Sequence, residues 1–235
     1  GGGEELDTHL GFAVARHDIL AEGSIALSGE RYVRREESRS GHPMVSLGDE
    51  TIFRVESGGT PKSDVPEYWN GGIAWATLVD LPQEDFITEI NSTVRTISER
   101  GLKESSAKLL PPNSVLVSSR ATIGRIAINR GPLATNQGFK NIVIVDETQA
   151  IPEYVALAVT RLVPTMQSWA TGGTFAEISK SKFCELDIPL PPIDVQRKIV
   201  DEVNEYQQRI VALEQEIANC KEQIRGSISR VWEEG

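Results

Sequence analysis

The chain has 235 residues, of which 39% are hydrophobic and 25% charged, and its formal net charge at pH 7 is -10. This composition is typical of a globular protein with one core, or with a core and an appendage. No apolar run approaches the roughly 20 residues of a membrane-spanning helix, no signal peptide opens the chain, and the two cysteines form no disulfide framework, so we expect a cytoplasmic protein with no membrane partner.

Residues 1–44 are polar and lack a sustained hydrophobic period. The segment RYVRREESRS, residues 31–40, is typical of a connector between structured parts. All three histidines fall in this region without the spacing of metal ligands, which favours surface histidines. The chain begins Gly1-Gly2-Gly3 without a methionine, so we expect a processed form or a fragment of a protein that extends further upstream.

A globular domain is predicted from residue 45 to residue 189. Its first apolar residues, 45–55, predict a short helix or strand. The segment Ser57-Gly58-Gly59-Thr60-Pro61-Lys62 then predicts a turn with exposed amides and one cation. Such a turn can approach a phosphate or be a plain connector. The aromatic pair Tyr68-Trp69 ahead of Gly71-Gly72 indicates a turn pinned against the core by rings.

Positive charge is concentrated between Arg95 and Lys140, where eight Lys or Arg residues accompany only two Glu. The segment is also rich in Ser, Thr, Gly, Asn and Gln. Lys and Arg provide the sequence-independent attraction to nucleic acid, which makes a phosphate backbone the leading candidate ligand. A solvated surface with chance clustering is equally compatible with the charge alone.

Three strands and a helix are predicted in the second half of the domain, and a polar glycine loop at 171–175 follows them. The strands are residues 115–117, 123–128 and 141–145. Pro152 is expected in the first turn of the helix, and Pro164 is expected to end or kink it. The face expected to be buried comprises Tyr154, Leu157, Ala158 and Leu162.

Residues 190–235 predict a coiled-coil helix that starts after Leu190-Pro191-Pro192, with Asp194 as its N-cap. Apolar residues recur at alternating steps of four and three for over four heptads. A lone helix with such a seam must bury it, against a second copy, another helix of a larger chain, another protein, or its own domain. The seam consists of Ile199, Val203, Tyr206, Ile210, Leu213, Ile217, Cys220, Ile224 and Val231.

The sequence contains no pattern that predicts catalysis. It lacks a phosphate-binding Gly-rich loop, a dinucleotide fingerprint, an Asn-Pro-Pro-aromatic methyltransferase motif, a Cys–His pair and a carboxylate cluster for two metals. We therefore expect no catalytic residues and no bound metal.

Five ordered motifs, from about Val45 to the C-terminus, closely resemble the target-recognition domain and following helix of type I restriction-modification specificity subunits. They are SGGTPK with YWNGGIAWAT, TISERGLKESSAKLLPPNSVLVSSRATIGRIAI, PLATNQGFKNIVIV, GGTFAEISKSKF, and IPLPPIDVQRKIV.

The resemblance implies a noncatalytic subunit that recognises double-stranded DNA and directs an adenine methyltransferase and a DNA-translocating endonuclease to a bipartite site. S-adenosylmethionine, ATP and magnesium would act on those methylation and restriction subunits, so no cofactor is expected in this chain. The expected fold is α+β: a compact target-recognition domain with a twisted β-sheet and helices, followed by a long helix.

The sequence departs from the family pattern because it carries one recognition domain and one helix where the usual subunit carries two of each. Such a chain would pair through its helix, as a homodimer or with a second specificity half, or be a fragment. Residues 19–32 are similar to the C-terminal tail of methylation subunits. This similarity implies a methyltransferase fused to its recognition domain.

Candidate DNA contacts divide into cations for phosphates and polar side chains for base edges. The phosphate candidates are Lys62, Arg95, Lys103, Arg125, Lys140, Lys180 and Lys182. The base-reading or loop candidates are Ser118, Arg120, Thr122, Asn136, Gln137, Thr171 and Thr174.

Two alternatives stay open. Because these motifs are shared by subunits of different specificity, their residues are equally good scaffold candidates, and the segments 79–93 and 151–170 are the expected specificity loops. The rival function is a protein-interaction or assembly module that works through its helix and binds no DNA, which the net charge of -10 favours slightly.

Overall fold

The computed structural model describes residues 41–81, 88–120, 122–172 and 176–233. The predicted leader, residues 1–44, lies outside these ranges except for its last four residues, and residues 19–32, which are similar to methylation subunits, fall outside the described residues. The five α-helices of the described ranges are α1 (Glu99–Lys103), α2 (Pro152–Thr160), α3 (Val163–Trp169), α4 (Lys180–Cys184) and α5 (Ile193–Glu233).

The ten strands of the described ranges form three sheets. The largest has the order β2-β9-β6-β7-β4, a second has the order β5-β3-β8, and β1 pairs with β10. All pairs are antiparallel except β3 with β8 and β4 with β7. The strands are β1 (Met44–Ser46), β2 (Phe53–Ser57), β3 (Trp69–Ala76), β4 (Thr88–Ile90), β5 (Arg95–Ile97), β6 (Val115–Ser118), β7 (Ile126–Asn129), β8 (Leu133–Thr135), β9 (Phe139–Ile144) and β10 (Asp187–Pro189).

The five-stranded sheet is buried on both faces, which explains why β6 and β7 are continuous apolar runs. Alternate side chains of β9 pack on the two faces of the sheet, since successive side chains of a strand point to opposite faces. Ile142 packs in a core with α2, α4 and the first turns of α5, while Phe139 and Val143 pack in a second core with the three-stranded sheet.

The predicted strands at 115–117 and 141–145 are present as β6 and β9. The strand predicted at 123–128 begins only at Ile126, because the chain turns at residues 122–125. Gly124 has a φ of 96°, which L side chains rarely adopt. A Cβ there would also lie 2.4 Å from Val163 Cγ1, so the turn fits directly against α3.

The helix predicted after residue 151 is two helices. Helix α2 ends at Thr160, and Pro164 lies in the first turn of α3, a position that proline favours because its missing N–H has no partner there. The predicted buried face is confirmed for Tyr154, while Leu157, Ala158 and Leu162 are only partly buried against the core, because α2 packs against β7, β10 and α5 together. Its other fully buried residues are Val155, Ala156 and Val159.

The long helix α5 starts at Ile193, so Asp194 lies in its first turn and is not the predicted N-cap. Its 41 residues extend roughly 60 Å at 1.5 Å per residue. The first turns pack on the domain. Gln196 and Val200 are buried. The side-chain NH2 group of Gln196 donates to the backbone carbonyls of Gln149 (2.7 Å) and Pro191 (2.8 Å). Its side-chain oxygen accepts from the backbone N–H of Ile151 (3.1 Å).

Most seam residues lie exposed to solvent in the described part of the chain. Val203 and Ile210 are partly buried, and the side chain of Val231 is not described. Five other seam residues are between 36% and 60% exposed: Ile199, Tyr206, Leu213, Ile217 and Ile224. Cys220 is exposed as well.

The expected α+β class with a long C-terminal helix is confirmed. No helix in the described ranges is long and apolar enough to cross a membrane.

Gln196→Ala should lower the free energy of unfolding by about 2–4 kcal/mol, because it leaves the Ile151 amide and two carbonyls without their partner. Denaturant titration of both proteins measures the change.

The matched control is Gln208→Ala, on an exposed position of the same helix, which should stay within about 0.5 kcal/mol of the parent. Equal effects of the two substitutions would show that α5 does not depend on docking through Gln196.

Candidate nucleic-acid interface

Several polar loops leave the sheets at one end. Strand β2 ends at Ser57, which pairs with Lys140 at the start of β9, and β6 ends at Ser118, which pairs with Phe139. Because these neighbours are antiparallel, the loop after β2, the loop after β6 and the turn before β9 emerge side by side.

Hydrogen bonds join the loop after β2 to the turn before β9. The Thr60 hydroxyl donates to the Gln137 side-chain carbonyl. The Asn136 amide nitrogen donates to Ala76 O (3.0 Å), and the Asn136 side chain accepts from the Gly138 amide (2.9 Å). Asn136 therefore shapes its own turn, while Gln137 is exposed at the surface.

The loop after β6 joins the other side of the turn. The Ser119 amide donates to Gly138 O (2.8 Å), and Ser119 O accepts from the Ile178 amide (3.1 Å). Isolated antiparallel bridges connect Glu177 to both Arg120 and Thr171. We call this continuous surface the loop edge: residues 58–62, 118–120, 122, 136–138, 171–172 and 176–178.

The glycines of the first segment permit this close approach. A Cβ on Gly58 would lie 1.8 Å from Asn136 O and 2.4 Å from Thr135 Oγ1. A Cβ on Gly59 would lie 2.3 Å from the Ala107 nitrogen. The Gly-Gly pair is thus required by backbone packing and not by a positive φ.

An aromatic–arginine cluster lies beside the loop edge. The indole rings of Trp69 and Trp75 meet edge to face at 5.1 Å, and their N–H groups donate to Lys62 O (3.1 Å) and Gly59 O (2.9 Å). The Arg95 guanidinium lies 4.0 Å from the Trp69 ring centroid and 5.1 Å from that of Trp75. This stacking holds an exposed cation next to the Gly-Gly loop.

The exposed predicted residues are consistent with a surface role. Lys62, Lys103 and Lys180 are exposed and have no ion pair among the described residues. Lys182 is exposed but pairs with Glu185 (2.7 Å) and lies 5.5 Å from the Trp169 ring centroid. Thr122, Gln137 and Thr171 are also exposed, Arg120 is partly buried, and Thr174 lies outside the described residues.

Three predicted contacts are engaged inside the protein. Lys140 is buried and ion-paired with Glu177 at 2.9 Å, so a phosphate cannot reach it in this conformation. Ser118 is buried, and its hydroxyl donates to Thr122 O and accepts from the Arg125 amide. The Arg125 guanidinium donates to Leu78 O (3.4 Å) and Leu81 O (3.2 Å).

The basic segment does not form one positive surface. Arg130 contacts Glu89 (2.6 Å) and Glu153 (2.7 Å) where β7 ends, at the opposite end of the sheet from the loop edge. Arg100 pairs with Glu104 at 2.9 Å. The hydrogen bond from Tyr68, and to a smaller extent that from Arg100, lowers the pKa of the Glu104 carboxyl. The lowered pKa favours the charged carboxylate. The exposed cations of the segment without a carboxylate partner among the described residues are Arg95, Lys103 and Lys108.

Thr60 and Glu177 are loop-edge residues that sequence reasoning did not single out. Both lie within the motifs SGGTPK and GGTFAEISKSKF, but neither is a cation or an amide. Each belongs to the surface through a side-chain partner that is distant in sequence: Gln137 is 77 residues from Thr60, and Lys140 is 37 residues from Glu177. No cluster of metal-ligating side chains occurs in the described ranges.

The family model described as "Type I restriction modification DNA specificity domain" matches residues 43–221. The chain belongs to this family. The expected membership in the specificity-subunit family is thereby confirmed.

Individual relatives agree. The MjaIX specificity subunit of Methanocaldococcus jannaschii is 36% identical over 148 residues, 63% of this chain and 34% of that subunit. The HindI specificity subunit of Haemophilus influenzae is 27% identical over 165 residues, which are 68% of this chain and 35% of that subunit. This chain therefore spans about a third of the length of these curated relatives.

A solved structure shows the same fold. The crystal structure of the HsdS subunit from Thermoanaerobacter tengcongensis aligns with a TM-score of 0.58 and 21% identity. The alignment covers 78% of this chain and 41% of that one.

Gly58→Ala should destabilise the protein by about 1–3 kcal/mol, because the added methyl overlaps backbone atoms of residue 136 that cannot move independently of β9. Thermal or denaturant unfolding measures the loss. Gly131→Ala is the control, since a Cβ there meets nothing within 4 Å. If both variants unfold alike, the loop after β2 does not pack against the Asn136 turn.

Proposed function

We propose that this chain is one target-recognition half of a type I specificity subunit, and that its loop edge binds one part of a bipartite double-stranded DNA site. The observation that supports this most directly is the convergence of four separate polar segments on one surface, from residues 60, 120, 137 and 171.

The chemistry of the surface suits a duplex. Gln137 and Arg120 carry groups that can bond a base edge with two hydrogen bonds, and hydroxyls such as Thr122 and Thr171 can bond either base type. Lys62, Lys103, Lys180, Lys182 and Arg95 border the loop edge or its neighbouring helices and supply the phosphate contacts that fix the register.

Ser118, Arg125 and Lys140 are assigned scaffold roles, because their polar groups are engaged within the domain. The first proposed specificity segment is 79–93, of which residues 82–87 lie outside the described residues. Residues 151–170 form α2 and α3, so a contribution from them would come from helix surfaces and not from a loop.

Residues 45–189 would act as the recognition domain and residues 190–235 as a spacer whose seam pairs with the same seam of a second copy. Two domains held apart by rigid helices would read two half-sites at a fixed separation. The methylation and restriction subunits, which would carry S-adenosylmethionine, ATP and magnesium, are the proposed protein partners, and the cytoplasm is the proposed location.

A protein-interaction module remains the second candidate. The chain's -10 charge and the open seam of α5 favour it. Such a module would associate with a partner protein independently of salt and would not bind duplex DNA, whereas a DNA reader loses affinity steeply as salt rises.

Lys62→Met should reduce the slope of log affinity against log salt by about 0.9, the contribution of one phosphate contact to duplex DNA. Fluorescence anisotropy with a duplex from a random library enriched on the parent chain gives this slope. Lys221→Met, on the exposed part of α5, is the control and should leave the slope unchanged. Parent protein that binds no duplex in a salt-dependent way would contradict the proposed DNA function.

Ile217→Glu combined with Ile224→Glu should convert a dimer into a monomer, because both residues are more than half exposed on the seam and would place charge in the helix interface. Light scattering measures the molar mass of each protein. Val211→Glu is the control, since Val211 is 65% exposed but lies off the seam. A parent chain that is already monomeric would show that the seam awaits a different helix.

A further inference from the structure

Lys140 is an unusual residue for the middle of a sheet. It lies on β9, where its backbone pairs with Ser57 on one side and Val117 on the other. Its side chain is only 5% exposed, and its Nζ lies 2.9 Å from Glu177 Oε1 and 3.2 Å from Ser119 Oγ. A buried lysine requires such partners, because an unpaired charge in the interior is strongly destabilising.

Glu177 connects this buried cation to the loop edge. Its amide donates to Thr171 O (2.9 Å) and its carbonyl accepts from the Thr171 amide (3.1 Å). Its backbone also bridges to Arg120, and the next residue, Ile178, is buried. The backbone of Glu177 therefore pairs with two predicted base-reading segments, and its carboxylate is held by Lys140.

The charge of Glu177 raises a second consideration. Its side chain is 34% exposed, so a surface that approaches phosphates presents an anion there. Lys140 neutralises that anion from the protein side. The ion pair thus anchors Glu177 to β9 and leaves no net repulsion of DNA at this position.

We propose that Lys140 is a positioning residue for sequence reading: its ion pair with Glu177 sets the arrangement of Arg120 and Thr171 on the loop edge, and Lys140 itself contacts no phosphate. This inference rests on the proposed DNA function of that surface. It replaces the phosphate contact that the sequence predicts for Lys140.

The first test uses the protein without DNA. Lys140→Met keeps the length of the side chain and removes its charge. Amide hydrogen exchange at Thr171, Glu177 and Ile178 should accelerate about tenfold or more, while exchange at Leu116 and Ile142 in the sheet stays unchanged. Unchanged exchange at the first three amides, or a uniform increase throughout the sheet, would overturn the positioning role.

The second test separates positioning from phosphate contact. It compares a duplex enriched from a random library on the parent chain with a shuffled duplex of equal composition. For Lys140→Met, affinity for the enriched duplex should fall about tenfold, the scale of one lost base-pair contact, while affinity for the shuffled duplex and the salt slope stay constant. Glu177→Gln should change the same ratio in the same direction.

Lys180→Met is the matched control, because Lys180 is an exposed cation close to the same segment in sequence. It should weaken both duplexes equally and make the salt slope shallower by about 0.9. If Lys140→Met behaves like Lys180→Met, or leaves the ratio of the two affinities unchanged, the inference is wrong and the proposed function stands. If the parent chain binds no duplex, both fail.

Discussion

The position of strand β9 is the constraint on which the rest of this structure depends. Its backbone is hydrogen-bonded to β2 and β6 over most of its length, and its two buried polar side chains point to opposite faces of the sheet. Lys140 reaches the segment at residue 177, while the Asn141 amide donates to Thr135 Oγ1 (2.8 Å) of the three-stranded sheet and to Glu56 O (3.2 Å). One strand thereby connects both packing layers to the loop edge.

The loop edge and the helix seam follow different physical rules. The loop edge is ordered by hydrogen bonds between segments that are distant in sequence, and its exposed groups are polar. The seam is ordered by the period of a single helix, and its exposed groups are apolar. The proposed DNA contact through one surface and the proposed helix pairing through the other are compatible because of this separation, since burial of one surface leaves the other free.

The cations that cluster in the sequence do not form one positive surface in the fold. The sequence gathers its cations between residues 95 and 140, but folding sends them to different places. Arg130 binds two glutamates at the far end of the sheet, Arg125 donates to backbone carbonyls, and Lys140 is buried. The cations left for a partner near the loop edge come partly from elsewhere in the chain, from Lys62 and α4.

The sequence by itself determined the family, the α+β class, the buried strands and the long helix, because each depends on local periodicity or on ordered motifs. It also predicted Lys62, Gln137 and Thr171 as surface residues. Only the tertiary structure decided that Lys140 and Ser118 are internal, that Thr60 and Glu177 belong to the loop edge, and that Gln196 joins the long helix to the domain. The physical reason is that a polar side chain has the same sequence signal whether it meets water, DNA or a buried partner, and only its neighbours in space distinguish the three.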